Sequence, residues 1–239
     1  MSDSFALDNR SRWRAVVFDM DDTLYPERQF VLSGFRAVAN WLEPRAGLPA
    51  DQCFAELQLL YASGVRGDTF DRWLTGHGLP ATWAPDMVEV YREHDPLLDP
   101  FPGVTELLAR LRVTCRLGLL SDGYLAVQRR KLAALGLADQ FDAVVFSDAW
   151  GRVAWKPSTR PFLEALALLD TPAATAVYVA DNPAKDFLGA REVGMGTIWL
   201  RRPGGEYALL EPPSPAHAPD LIVASLDELE SILAQPENN

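Results

Sequence analysis

Cysteine is scarce in this chain. Cys53 and Cys115 are too few for a disulfide framework, and neither sits in a C-x-x-C pair, a pattern that fits a reducing compartment. His77, His94 and His217 are scattered and have no metal-ligand spacing. No apolar run approaches the ~20 residues needed to span a bilayer. The polar segment from Met1 to Arg14 has no apolar stretch of the kind a secretory signal requires. Positive charge is also in deficit: 22 Lys and Arg against 33 Asp and Glu leave a formal charge of −11. That balance argues against nucleic acid or an anionic membrane as a partner, since both reward basic patches. It leaves room for an anionic small molecule at a locally positive site. No P-loop, nucleophile-elbow serine or G-x-G-x-x-G fingerprint is present. The expectation is a soluble cytoplasmic protein.

An apolar fraction of 48% is that of an ordinary globular protein, and 239 residues can build one sizeable core with an inserted module. The run Ala15-Val16-Val17-Phe18-Asp19 reads as a buried strand of a parallel sheet. From Pro26 to Asp99 only helical periodicity is found. Helices are expected over Arg28–Glu43, Asp51–Ala62, Thr69–Leu74 and Asp86–Glu93, with Pro96, Pro100 and Pro102 marking the exit. Strands and helices then alternate. Strands are expected at Leu117–Leu120, Ala143–Phe146, Ala176–Ala180, Thr197–Leu200 and Leu221–Val223. Helices are expected at Val104–Leu111, Leu125–Leu135 (stopped by Gly136), Ser158–Leu169 (capped by Ser158), Pro183–Val193 and Leu226–Leu233. The proline-rich stretch Glu206–Pro219 reads as a surface loop. This rhythm predicts an α/β fold: a doubly wound parallel sheet core of residues 1–25 and 100–239 carrying an inserted all-helical unit of residues 26–99.

In open α/β sheets, ligands bind beyond the carboxyl ends of the strands. Three expected strands end in polar groups here, at Asp19-x-Asp21, Ser121 and Asp181, and Lys156 lies on a loop before a helix. Phosphoryl transfer accounts for such a set. A carboxylate nucleophile is repelled by a phosphate dianion, and a divalent cation held by further carboxylates offsets the repulsion. Magnesium, an oxygen-seeking cation, suits a site with few carboxylates, and manganese could substitute. A lysine and a hydroxyl can hold the equatorial phosphoryl oxygens. Attack by the carboxylate splits the reaction through an aspartyl phosphate. A second acid must protonate the leaving oxygen and then deprotonate water. Asp21 is the natural candidate, because side chains two apart in an extended segment share a side.

Four segments in this order resemble the motifs of the haloacid dehalogenase superfamily. Phe18-Asp19-Met20-Asp21-Asp22-Thr23-Leu24 resembles the first and Leu119-Leu120-Ser121-Asp122-Gly123 the second. Trp155-Lys156-Pro157 resembles the third, and Val179-Ala180-Asp181-Asn182-Pro183-Ala184-Lys185-Asp186 the fourth. The resemblance implies a Rossmann-like core with a helical cap between the first two motifs. It implies Asp19 as nucleophile, Asp21 as acid and base, and Lys156 as the charge balancing nucleophile and phosphate. It implies Ser121, with Asp122 and Gly123, at the phosphate. It implies Mg2+ held by Asp19, Asp181, Asp186 and the main-chain carbonyl of Asp21. An aspartate at position 21 marks the family's phosphatases rather than its dehalogenases. The expected activity is therefore a Mg-dependent phosphatase acting on a small phosphate monoester; a phosphomutase would use the same pair. Asp122 stands where asparagine is common, and Ala180 where glycine is.

Bland readings compete at single positions. Aspartates cap many turns after strands, and Lys185 reads as a solvated lysine. Arg28, Arg36, Arg66 and Arg72, on the helical segment, read as solvated faces with reach toward an anion. Asn9-Arg10-Ser11 fits a glycosylation sequon that a cytoplasmic chain would leave idle. A phosphate-accepting receiver module lacks the helical insertion and a counterpart of Asp181. A phosphonate hydrolase of the family would need a cap lysine, and residues 26–99 contain none.

Overall fold

Strand β1 (Ala15–Phe18) has every side chain buried and lies at the centre of a six-stranded sheet. This computed structural model describes residues 12–235. The polar segment at the N-terminus and the Asn9-Arg10-Ser11 tripeptide lie outside the described residues, apart from Arg12, Trp13 and Arg14. The chain divides into two compact units, one of Met1–Pro26 with Pro100–Asn239 and one of Glu27–Asp99.

The Glu27–Asp99 unit contains α1 (Glu27–Ala46), α2 (Ala50–Ala62), α3 (Thr69–Gly76) and α4 (Ala84–Glu93). In α1, Phe30, Phe35, Val38 and Leu42 form the buried stripe that the sequence spacing predicts. Phe35, Val38 and Leu42 pack with Cys53, Leu57, Phe70, Trp73 and Met87 into one core. The helix runs one turn beyond the expected end and carries Pro44 in that turn, close to where the helix stops at Ala46.

The other unit has α5 (Val104–Leu111), β2 (Arg116–Ser121), α6 (Leu125–Leu135), β3 (Ala143–Phe146), α7 (Arg160–Leu168), β4 (Ala176–Ala180), α8 (Phe187–Glu192), β5 (Gly196–Leu200), β6 (Leu221–Val223) and α9 (Leu226–Leu233). The sheet order is β3-β2-β1-β4-β5-β6, and every pairing is parallel. This is the expected α/β architecture. Successive strands run outward from β1 on one side through β2 and β3, and on the other through β4, β5 and β6. The order therefore reverses between β1 and β4, and the carboxyl ends of those two strands flank the crevice where such sheets take ligands.

Two expected helices start later in the chain than predicted. Ser158 is not the cap of α7: the helix begins at Arg160, and Ser158 Oγ only accepts a long 3.4 Å bond from the Arg160 amide. The helix expected from Pro183 begins at Phe187. Side chains hold the preceding residues in a turn instead. Asp186 Oδ2 accepts from the Asn182 amide at 2.9 Å, and Asn182 Oδ1 accepts from the Ala184 amide at 3.0 Å. Short polar side chains that bond nearby main chain compete with a helix in this way.

Phe162 on α7 is fully buried and meets Tyr178 on β4 edge-to-face, with ring centres 5.0 Å apart. Phe162→Ala is expected to cost about 3–5 kcal/mol, read as a lower urea midpoint for the unit that contains the sheet.

Candidate active site

The main chain leaves β1 at Phe18, and Asp19, 2% exposed, is the first residue past the strand. Lys156 approaches from the loop before α7. Its Nζ donates to Asp19 Oδ1 at 2.8 Å and to the Tyr178 hydroxyl at 2.8 Å, and pairs with Asp186 Oδ1 at 2.7 Å. The ammonium thus makes two hydrogen bonds and a close ion pair. Burial alone would strip the proton from this ammonium, but Asp186 and Asp19 outweigh burial and hold it well above the ordinary lysine range. Burial pushes the Asp19 carboxyl up to about 6, against the pull of Lys156 and with a further push from Asp186.

Asp181 lies just past β4. Thr23 Oγ1 donates to its Oδ1 at 3.4 Å, and the Trp199 indole donates to its main-chain carbonyl at 2.7 Å. Its Oδ2 is buried and has no hydrogen-bond partner among the described residues. Burial drives its carboxyl well above the usual range, and the nearby Asp186, Asp19 and Asp22 add to that. Asp19, Asp181 and Asp186 each offer an oxygen within 4.8 Å of the others. Three buried carboxylates crowd together beside Lys156 and Lys185, and Asp181 Oδ2 has nothing to bond among the described residues. A hard, oxygen-preferring divalent cation such as Mg2+ fits that donor set.

Ser121 ends β2, and its Oγ is likewise buried without a partner among the described residues. Asp122 turns inward. Its carboxylate accepts from Ser147 Oγ at 2.6 Å and from the Lys156 amide at 3.1 and 3.2 Å, so it anchors the main chain that carries the lysine. Gly123 has φ +122, and a Cβ there would lie 2.6 Å from Gln128 Nε2. Both the conformation and the close approach call for glycine. Asp148 fixes this corner from the other side, accepting from the Leu125 amide at the start of α6 and from the Trp155 indole, each at 3.0 Å.

Asp21 is not positioned by strand alternation. The strand stops at Phe18, Leu24 N–H bonds Met20 C=O at 2.9 Å, and Asp22 has φ +52, so residues 19–25 form a turn. The Asp21 carboxylate is held from elsewhere. Oδ1 accepts from the Tyr25 hydroxyl at 2.5 Å and from Lys131 Nζ at 2.8 Å, and Oδ2 from Gln128 Nε2 at 3.0 Å. Burial would raise this carboxyl, but the Lys131 charge and these bonds outweigh it and bring it below the usual range. The Asp21 side chain is not a member of the three-carboxylate cluster.

Sequence reasoning passed over Tyr178, Lys131, Gln128 and Tyr25. It also read Lys185 as solvated, whereas its Nζ lies 4.0 Å from Asp122 Oδ2 and feels the charges of Asp186 and Asp19. A signal was available. Of 22 basic residues only Lys131, Lys156 and Lys185 are lysines, and all three pair with carboxylates of this site. On the helical unit, Arg36 pairs with Asp51, Arg72 pairs with Asp68, and Arg66 bonds the Tyr61 carbonyl, each at 2.7 Å. His77 stacks on Trp73, and His94 and His217 bond Ser33 and Ser214.

A sequence model of haloacid dehalogenase-like hydrolases matches residues 16–200. The chain belongs to this family. The hydrolase is 33% identical over 234 residues to a protein of Methanopyrus kandleri named glyceraldehyde 3-phosphate phosphatase, across 93% of this chain and 97% of that protein. Among solved structures it is similar to a HAD phosphatase from Thermococcus onnurineus, at 27% identity and a TM-score of 0.60, covering 94% and 100% of the two chains. It is also similar to a 2-haloacid dehalogenase from Pseudomonas syringae pv. Tomato DC3000, at 27% identity and a TM-score of 0.63, covering 93% and 98%. The enzyme class expected from the sequence, a phosphatase of this family, agrees with the names of the first two. Among the described residues, no helix is long and apolar enough to cross a membrane.

The crowded carboxylates generate a metal prediction. Mg2+ is expected to raise the thermal midpoint of the wild type. Asp181→Asn is expected to lose most of that response while melting a few degrees higher in chelator, because a neutral amide relieves the repulsion. Differential scanning calorimetry with and without Mg2+ checks both.

Proposed function

We propose that the hydrolase is a Mg-dependent phosphatase that acts on a small phosphorylated metabolite through an aspartyl phosphate at Asp19. The observation that carries this reading is the buried Lys156 ammonium bridging Asp19 and Asp186 at the point where the sheet order reverses. Asp19 attacks phosphorus, the bond from phosphorus to the ester oxygen breaks, and that oxygen takes a proton from Asp21. In the second half Asp21 takes a proton from water, the water oxygen attacks the aspartyl phosphate, and phosphate leaves with the Asp19 carboxylate restored. Lys156, the free Ser121 hydroxyl and the main chain at Asp122 and Gly123 hold the phosphoryl oxygens; the Asp122 carboxylate, engaged with Ser147 and the Lys156 amide, orients Lys156 instead. When bound by Asp19, Asp181, Asp186 and the Asp21 main-chain carbonyl, Mg2+ would supply the positive charge that lets a carboxylate approach a phosphate dianion.

The Glu27–Asp99 unit is assigned the role of a substrate-selecting cap, from its helical make-up and its insertion between the first and second motifs. The relative named for glyceraldehyde 3-phosphate makes a short phosphorylated metabolite the class to test first.

Phosphate release from glyceraldehyde 3-phosphate and from an aryl phosphate, each with and without Mg2+, tests the reading. Asp19→Asn is expected to abolish release. Asp21→Asn is expected to slow it by roughly 10²–10⁴-fold with little change in KM. Lys156→Ala is expected to depress kcat and raise KM together. Full activity in Asp19→Asn would overturn the nucleophile assignment.

A further inference from the structure

Strand geometry does not aim Asp21, since its segment is a turn, so its direction must come from its partners. Those partners include two residues of α6, Gln128 and Lys131. They lie on the stripe of α6 that also buries Leu132 and Leu135, where apolar side chains are the rule. Both are 3% exposed. A buried lysine is costly unless it is paired, and this one pairs with Asp21. Gln128 reaches Asp21 by passing over Gly123, where a Cβ would collide with its amide, and the same amide nitrogen donates to the Asp122 carbonyl. With Tyr25 and Lys131 both on Oδ1, the two acceptor sites of that oxygen are filled. Oδ2 accepts only from Gln128 among the described residues, which leaves it one acceptor site.

We propose that Lys131, assisted by Gln128, is a positioning residue for the acid–base step: it pins Oδ1 of Asp21 so that Oδ2 is the oxygen that exchanges a proton with the leaving group and with water. This deepens the phosphatase reading and rests on it. The arrangement also gives Gly123 a second duty beyond its place in the phosphate-binding turn, because any side chain there would push Gln128 off Asp21.

The test is a double-mutant cycle of Lys131→Met with Asp21→Asn, read on kcat and KM for the same phosphate ester. A misdirected catalytic group costs on the order of 10²-fold, so Lys131→Met is expected to lower kcat by about 10- to 100-fold while leaving KM within about twofold. In the Asp21→Asn background the same change is expected to have almost no effect, because there is no acid left to aim. Equal losses in both backgrounds, or a rise in KM with kcat intact, would overturn the proposal in favour of a structural or substrate-binding lysine. Crystal structures of wild type and Lys131→Met provide a readout independent of turnover. Asp21 is expected to leave its position in the variant, and an unmoved carboxylate would overturn the proposal whatever the kinetics. A wild type that releases no phosphate, with Asp21 still displaced in Lys131→Met, would overturn the phosphatase reading and leave the positioning role standing.

Discussion

The Lys156 ammonium, fully buried between Asp19 and Asp186, is the interaction on which the rest of the site depends. Removing one partner from a buried pair of this kind leaves an uncompensated charge and costs about 3–5 kcal/mol. Each partner arrives on a different element: Asp19 from the end of β1, Tyr178 from β4, Asp186 from the turn before α8, and Lys156 from the loop before α7. Only a parallel sheet whose order reverses between β1 and β4 brings those ends together. The main chain at Lys156 is in turn tied by Asp122, and Gly189 on α8 admits the Pro157 carbonyl where any larger residue would collide. The polar cluster therefore depends on this topology to bring its partners together.

The cluster is not electrically closed. Lys156 pairs with Asp19 and Asp186 but not with Asp181, whose carboxyl is driven upward by burial and by its acidic neighbours against the pull of Lys185. Such a site is destabilised by its own charge, and a bound cation would relieve that cost. Asp21 is kept apart from this crowding. Lys131 gives it a separate counter-charge, so the two aspartates of the first motif sit in opposite environments, one pushed up and one pulled down. The depression of Asp21 favours its ionised form, which suits the half-reaction in which it takes a proton from water.

Much of the fold was legible because strands of a parallel sheet read as short apolar runs; Ala176–Ala180, buried throughout, the half-buried Ala143–Phe146 and the largely exposed edge strand Leu221–Val223 all have the bounds that hydrophobicity predicts. The start of α8 was not legible. Asn182 and Asp186 spend their side chains on local main-chain bonds, and periodicity is blind to that competition. The site residues that carry motif signatures, Asp19, Ser121, Lys156 and Asp181, could be named from strand ends and motif order. Tyr178 was hidden inside an apolar strand, where a tyrosine passes for a core aromatic. Lys131 and Gln128 were hidden in a helix whose pattern could be read without asking why two polar residues occupy its inward stripe. The direction of Asp21 was inferred from an extended backbone that stops three residues too soon.

The most direct test of the account is to trap the covalent intermediate. Asp21→Asn, incubated with Mg2+ and an aryl phosphate, then acid-quenched and digested, should carry one phosphoryl group on the peptide containing Asp19. That group should be removed by hydroxylamine, as an acyl phosphate is. Turnover by the wild type with no phosphoryl group on that peptide, or with one on a different residue, would contradict the assignment of Asp19 as the nucleophile.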